Sequence, residues 1–423
     1  MFKFYSSLPF ILEDRFRNLE DIIEVKGAPV RFFCFRHPDH IQQIYTQEPT
    51  RLAKNPGLMP RVQFVMGRGS FIHEGGDGWK RKRRAVGPMF SEKQTILRLL
   101  DGVAPSVKET IENWKTFEAQ RLPFDLLHEC RMLITRFALL AFFSEQADVA
   151  PIADDTHTLV SGFIDILPIQ FPTPANIRFR QATSRLQKVM EGIIAKHRTQ
   201  SPAPMDFVTH LLSGSEPGLP DDEIKGEMLS VYFGASTMAV AVAWLFYMLS
   251  QHAEARALVE REVDALEGKT PAFDDLARFP HLSLVFKETM RLYPPVWAYP
   301  RVANEPLEIG GFRIPEKSIL LPITYFAHRH PDFWTNPEGF DRGRFDPARG
   351  SKIHPFAYYP FGGGPRMCLG ASLAPSVCLL MAARLIQLYS VDLAPRFPGD
   401  PQLDFGFELS PKDKLMVVIH ARM

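Results

Sequence analysis

Residues Phe361 to Gly370 read FGGGPRMCLG, and the rest of the chain is organised around them. Three consecutive glycines, Gly362, Gly363 and Gly364, permit backbone angles closed to other residues, so a tight hairpin is expected there. Pro365 stiffens the exit, and Arg366 sets a fixed charge two residues before Cys368. Downstream, Leu373 to Leu388 is apolar enough to form a buried helix. Cys368 then stands where a loop enters a helix, at the positive end of a dipole that favours a thiolate. A rigid turn, a thiolate, a neighbouring arginine and a helix start make a site for a soft metal centre. Taken alone, Cys368 reads more plainly as a free cysteine in a glycine turn.

Moving outward, Phe286 to Leu292 carries Glu288 and Arg291, which share a helix face at this spacing and can pair. Pro294 and Pro295 end that helix. Pro306 to Ile323 reads as a hairpin turning at Gly310-Gly311. Further back, Asp221 to Ser250 is about 30 residues without proline, roughly 45 Å of helix, capped and charged favourably by Asp221 and Asp222. At its centre lies Gly234-Ala235-Ser236-Thr237-Met238. In Gly75 to Phe90, Trp79 and Arg83 are one helix turn apart on a common face. Arg81, Lys82 and Arg84 fall on other faces. Asn55 to Ser70 is rich in Gly, Pro and Met and reads as irregular, Val160 to Pro174 is apolar with three prolines, and Ser213 to Pro220 reads as a loop. Pro29 to Phe35 reads as a strand, His37 to Thr46 as a helix, and Lys414 to His420 as a closing strand.

The motif Phe-x-x-Gly-x-Arg-x-Cys-x-Gly is matched in full at 361–370, and in this the chain resembles the cytochrome P-450 family. The resemblance extends over nearly the whole chain through four further motifs in the family's order. It implies a mainly α fold with a smaller β region, a helical bundle around a buried haem. Cys368 is then the axial iron ligand, and a thiolate-held haem favours O–O cleavage. The cofactor implied is haem b. Trp79, Arg83, Arg301 and Arg366 anchor its propionates, and Phe361 and Gly370 complete the cysteine loop. The long helix matches Gly-x-Acid-Thr-Thr where it crosses the haem, so Thr237 handles oxygen and protons. The chain departs from the family there, with Ser236 at the acidic position and Met238 at the second threonine. Glu288 and Arg291 match the family's Glu-x-x-Arg pair, with Arg344 in FDRGRF as third partner. These three are assigned to folding and haem retention. Arg81, Lys82 and Arg84 are candidates for the surface that meets an electron donor. Past Cys368, Val377 replaces a usual glutamate, and Pro375 is expected about two turns into the helix, kinking it.

Composition bounds the same picture. The 423 residues show no obvious linker, so one domain, residues 1–423, is expected. Hydrophobic residues make up 45%, enough for a large core, and the net charge of +1 argues against nucleic acid as a partner. Cys34, Cys130, Cys368 and Cys378 contain no CxxC pair, which disfavours structural zinc, and they suggest no disulfide framework. Met1 to Leu12 and Ala239 to Leu249 are each too short to span a bilayer, so a soluble, cytoplasmic monomer is expected. The resemblance implies insertion of one oxygen atom from O2 into a hydrophobic small molecule. Electrons would come from a separate ferredoxin or flavodoxin with its reductase, since the chain shows no flavin or iron–sulfur module. A peroxide-driven oxygenase, a redox-neutral isomerase or dehydratase, and a non-catalytic haem sensor stay open.

Overall fold

The computed structural model describes residues 12–16, 20–25, 31–46, 51–53, 60–67, 70–165, 167–214, 219–350, 352–395, 397 and 399–422. Most of Met1 to Leu12 therefore lies outside the described residues, as do Pro29, Val30 and much of the stretches around Asn55 and Ser215. The architecture is mainly helical with small sheets. The helix Asp221–Gln251 runs through the middle. It carries no charged residue after Glu227, so nearly its whole circumference can be buried. Three helices packed against it build the main core: Leu126–Phe143, Pro280–Leu292 and Leu373–Leu388. Among the described residues it is the one helix long and apolar enough to cross a membrane, and 83% of its apolar window is buried inside the protein.

The principal sheet has five strands in the order Ile22–Val25, Phe32–Phe35, Ile319–Pro322, Arg301–Ala303, Leu52–Ala53. Phe32–Phe35 and Ile319–Pro322 pair in parallel and the other neighbours are antiparallel. All four residues of each of these two strands are buried, as an inner strand covered on both faces requires. The expected hairpin pairs Leu307–Ile309 with Phe312–Ile314. Both turn residues have positive φ, 54° at Gly310 and 80° at Gly311, the conformation that suits a two-residue hairpin.

Several local expectations are corrected. Pro60–Met66 is a helix within the stretch read as irregular. Pro375 is the third residue of Leu373–Leu388, not two turns inside it. The first four N–H groups of a helix have no partner within it, so proline removes nothing at that position. Lys82 is fully buried, its Nζ 2.8 Å from Glu74 and 3.4 Å from Glu223, so it is no part of an outer surface. Its neighbours Arg81 and Arg84 are solvent-facing.

Candidate functional site: the cysteine loop and the helix opening

The loop at 361–370 is a chain of tight turns; among the described residues it takes no part in strand pairing, so the expected hairpin is not its form. Gly362 and Gly364 have φ of 72° and 67°, in the region that side chains disfavour. A Cβ at Gly364 would also lie 2.9 Å from the carbonyl oxygen of Tyr45. The N–H of Met367 donates to Gly364 O at 3.1 Å, and that of Cys368 closes the loop onto Phe361 O at 3.0 Å. The Tyr299 hydroxyl donates to Pro360 O at 2.7 Å. Cys368 ends this cradle just before the short turn Leu369–Ala371 and the helix that follows. Phe361 and Leu369 pack on the main core, and a Cβ at Gly370 would meet the Cys368 sulfur at 3.8 Å.

Of the four cysteines only Cys368 is exposed. Burial pushes the Cys34 and Cys378 thiols up to about 12 and drives Cys130 well above the ordinary range. Those three are inert apolar packing; Cys368 is the thiol a metal could reach.

Cationic side chains converge on the same loop. Trp79 and Arg83 lie on the helix Gly76–Val86. The Arg83 guanidinium donates to Met367 O at 2.9 Å, and burial lowers its pKa while the nearby Cys368 pulls it back up. Arg366 stacks over the ring of buried Trp79 and donates to Glu74 O at 2.9 Å. Arg301 is 2% exposed, its guanidinium 5.3 Å from the ring centroid of Tyr45, the residue against which Gly364 is packed.

On the long helix, nearly every residue from Ile224 to Leu249 is buried, yet Gly234 is exposed and Ser236 and Thr237 are half-buried. A Cβ on Gly234 would meet nothing within 4 Å. The helix thus opens at Gly234, Ser236 and Thr237, with buried Ala235 between them. Thr237 Oγ1 donates to Gly234 O at 2.8 Å, and Met238 is buried in the core. Ser236 reaches Glu408 at 2.8 Å, a carboxylate that the sequence reading did not single out.

Behind the loop, Glu288 and Arg291 are both fully buried and doubly hydrogen-bonded, each bond 2.8 Å long. Arg344 Nε joins Glu288 at 3.2 Å, and the Asp341 N–H at 2.9 Å. Arg291 also donates to the carbonyls of His328, Pro337 and Gly339. Arg344 donates to those of Thr335, Asn336 and Gly339.

A reachable thiol in a rigid cradle, flanked by three arginines and walled by apolar helices, suits a metal macrocycle bearing carboxylates: soft sulfur for iron, guanidinium groups for the acids. A sequence model of the family Cytochrome P450 matches residues 6–417. The chain is 28% identical to cyclooctat-9-en-7-ol 5-monooxygenase of Streptomyces melanosporofaciens over 89% of its length and 83% of that protein's. It is 26% identical to pentalenene oxygenase of Streptomyces avermitilis, over 89% and 85% respectively. Among solved structures it is similar to retinoic acid bound cyanobacterial CYP120A1, with a TM-score of 0.86, 25% identity and coverage of 97% and 94%. This chain belongs to the cytochrome P450 family and is a P450-type monooxygenase.

Proposed function

We propose that the chain holds haem b on Cys368 and inserts one oxygen atom of O2 into an apolar, hydrocarbon-rich small molecule. The observation that carries this is the single reachable thiol within the convergence of Arg83, Arg301 and Arg366. When bound, the haem supplies oxygen activation, helped by a thiolate ligand. Arg83, Arg301 and Arg366 then hold its carboxylates, with Trp79 bracing Arg366. Thr237 and Ser236 offer hydroxyls to hold and pass protons where the long helix opens.

An apolar wall favours a greasy substrate. The Phe163 ring packs edge-on against both Phe233 and Phe407, with centroids 5.1 and 4.8 Å away. Such a wall also keeps bulk water from the reacting centre. The compounds in the two Streptomyces relatives' names, cyclooctat-9-en-7-ol and pentalenene, are an unsaturated alcohol and an unsaturated hydrocarbon, and we assign a substrate of that hydrocarbon-rich class. Electrons come from a separate ferredoxin or flavodoxin in the cytoplasm, docking where Arg81, Arg84 and exposed Met367 meet solvent.

The test is a panel of terpene hydrocarbons and alcohols, screened for the low-to-high-spin absorbance change and then incubated with NADPH, ferredoxin, ferredoxin reductase and isotope-labelled dioxygen. One labelled oxygen atom in the product is expected. Product formed from hydrogen peroxide but not from dioxygen and electrons would replace this reading with a peroxide-driven one.

A further inference from the structure

The family's acid is missing from the long helix, but a carboxyl group stands beside the vacated position. Glu408 comes from the far end of the chain, between the strands Leu403–Phe405 and Leu409–Pro411. It is 3% exposed. Two indoles pin its segment: Trp244 of the long helix donates to Leu409 O at 2.9 Å, and Trp297 donates to Gly406 O at 2.8 Å. The carboxyl therefore cannot swing far from Ser236. Glu408 Oε2 faces Arg131 Nη2 at 3.8 Å, and Arg131 Nη1 lies 2.8 Å from Nδ1 of exposed His157.

Ser236 Oγ lies 2.8 Å from the Phe233 carbonyl oxygen and 2.8 Å from Glu408 Oε1. A hydroxyl has one hydrogen, and a carbonyl can only accept. The hydroxyl can share its one hydrogen between the two acceptors as a three-centre bond, or, when the carboxyl is protonated, donate to Phe233 O while accepting from Glu408. Burial raises the Glu408 pKa, opposed by Arg131 and by the Ser236 contact. A small cavity, about the size of one water, lies between Arg131, Thr135, Thr156, Tyr232 and Ser236. The Tyr232 hydroxyl bridges the two threonine hydroxyls there at 3.2 and 2.6 Å.

We propose that Glu408 is the proton-supplying acid of this enzyme, a positioning residue that acts through Ser236 in place of a carboxylate on the long helix. In the relay, the Glu408 O–H bond breaks as its proton passes to Ser236 Oγ. The Ser236 O–H bond breaks as its proton passes to a solvent water at the helix opening, which hands on one of its own protons. The carboxylate left behind accepts the Ser236 hydroxyl and faces Arg131 until a solvent proton restores it. Proton number is conserved, and no electron is moved.

The inference rests on the haem-thiolate reading, so its first test does not. Infrared difference spectra of wild-type protein at neutral pH should show a protonated, buried carboxyl band. Beside the band of buried Glu227, one such band should be absent in Glu408→Gln, retained in Glu227→Gln and shifted in Ser236→Ala. The second test uses hydrogen peroxide and guaiacol as probes on haem-loaded protein. Glu408→Gln should lower the oxidation rate at least about tenfold, the low end expected for an acid–base group. It should also abolish the loss of rate seen in wild type as pH rises through the Glu408 pKa. Haem content and the reduced carbonyl spectrum should be unchanged. Glu408→Gln with Ser236→Asp should restore the rate. No carboxyl band lost in Glu408→Gln, or equal rates and pH profiles in wild type and Glu408→Gln, would overturn the proposal. Absence of the thiolate carbonyl spectrum in wild type would instead overturn the haem reading.

Discussion

The guanidinium of Arg366 lies 4.5 Å from the ring centroid of Trp79, which ties the cysteine loop to the basic helix far earlier in the chain. Such stacking contributes about 0.5–2 kcal/mol and fixes where the charge points. Trp79→Leu should keep the fold but loosen Arg366. The expected result is faster haem transfer to apomyoglobin, followed by absorbance, with the circular dichroism spectrum unchanged.

Cys368→Ala should abolish the strongly red-shifted Soret band of the reduced carbonyl complex. Alanine at Cys34, Cys130 or Cys378 should preserve it, because those thiols are buried among apolar side chains. A retained band in Cys368→Ala would rule out the assigned ligand.

Glu288 accepts from two arginines and a backbone N–H, with no exposure to water. Its removal leaves Arg291 charged and buried, at a cost of about 3–5 kcal/mol. Glu288→Ala should therefore give haem-poor protein with a lower urea midpoint. Equal midpoints in the two proteins would show that the pair does not support the fold.

Thr237 is half-buried at the opening of the long helix. Thr237→Ala should raise hydrogen peroxide released per NADPH consumed, while haem content and ligand affinity stay near wild type. Oxygen electrode and peroxide assays run together measure this. Equal coupling in the variant would remove Thr237 from oxygen handling.

Glu227 is fully buried, accepts the Phe71 N–H at 2.9 Å, and has its second oxygen unpartnered among the described residues. Burial raises its pKa from 4.5 to about 8, opposed by that N–H and by Lys82, while Glu74 and Glu223 push it further up. Between those two values the folded protein holds a proton that the unfolded chain has released. Stability from this group is thus fully present below 4.5 and is lost as pH rises to about 8. Glu227→Gln should flatten the fall in urea midpoint across that window. An unchanged slope would mean that Glu227 is ionised in the folded protein.

What could be read from the sequence was local. Cys368 with its glycines, Glu288 with Arg291, and Trp79 with Arg83 each fall within one turn or loop, so spacing alone set their geometry. The long helix was legible because an uncharged run of that length has few other uses. Glu408 was not, since it meets Ser236 across 172 residues and nothing local marks it. Lys82 looked like a surface charge because its neighbours are; only the folded chain brings Glu74 and Glu223 around it. Pro375 was misplaced by the helix start, and terminal positions are where sequence reading is weakest.

The contacts of Arg291 and Arg344 also bear on how this region can change. Between them they grip carbonyl oxygens from His328, Thr335, Asn336, Pro337 and Gly339. A main-chain oxygen is the same whichever residue bears it. The coil from 328 to 339 is thus gripped through its backbone by two guanidinium groups, beside the side-chain contacts of Arg329 with Glu338, His330 with Asp21 and Trp334 with Arg291. Substitutions that keep the backbone path should be absorbed at positions outside His328, Arg329, His330, Trp334 and Glu338, whereas replacing either arginine should loosen the whole segment.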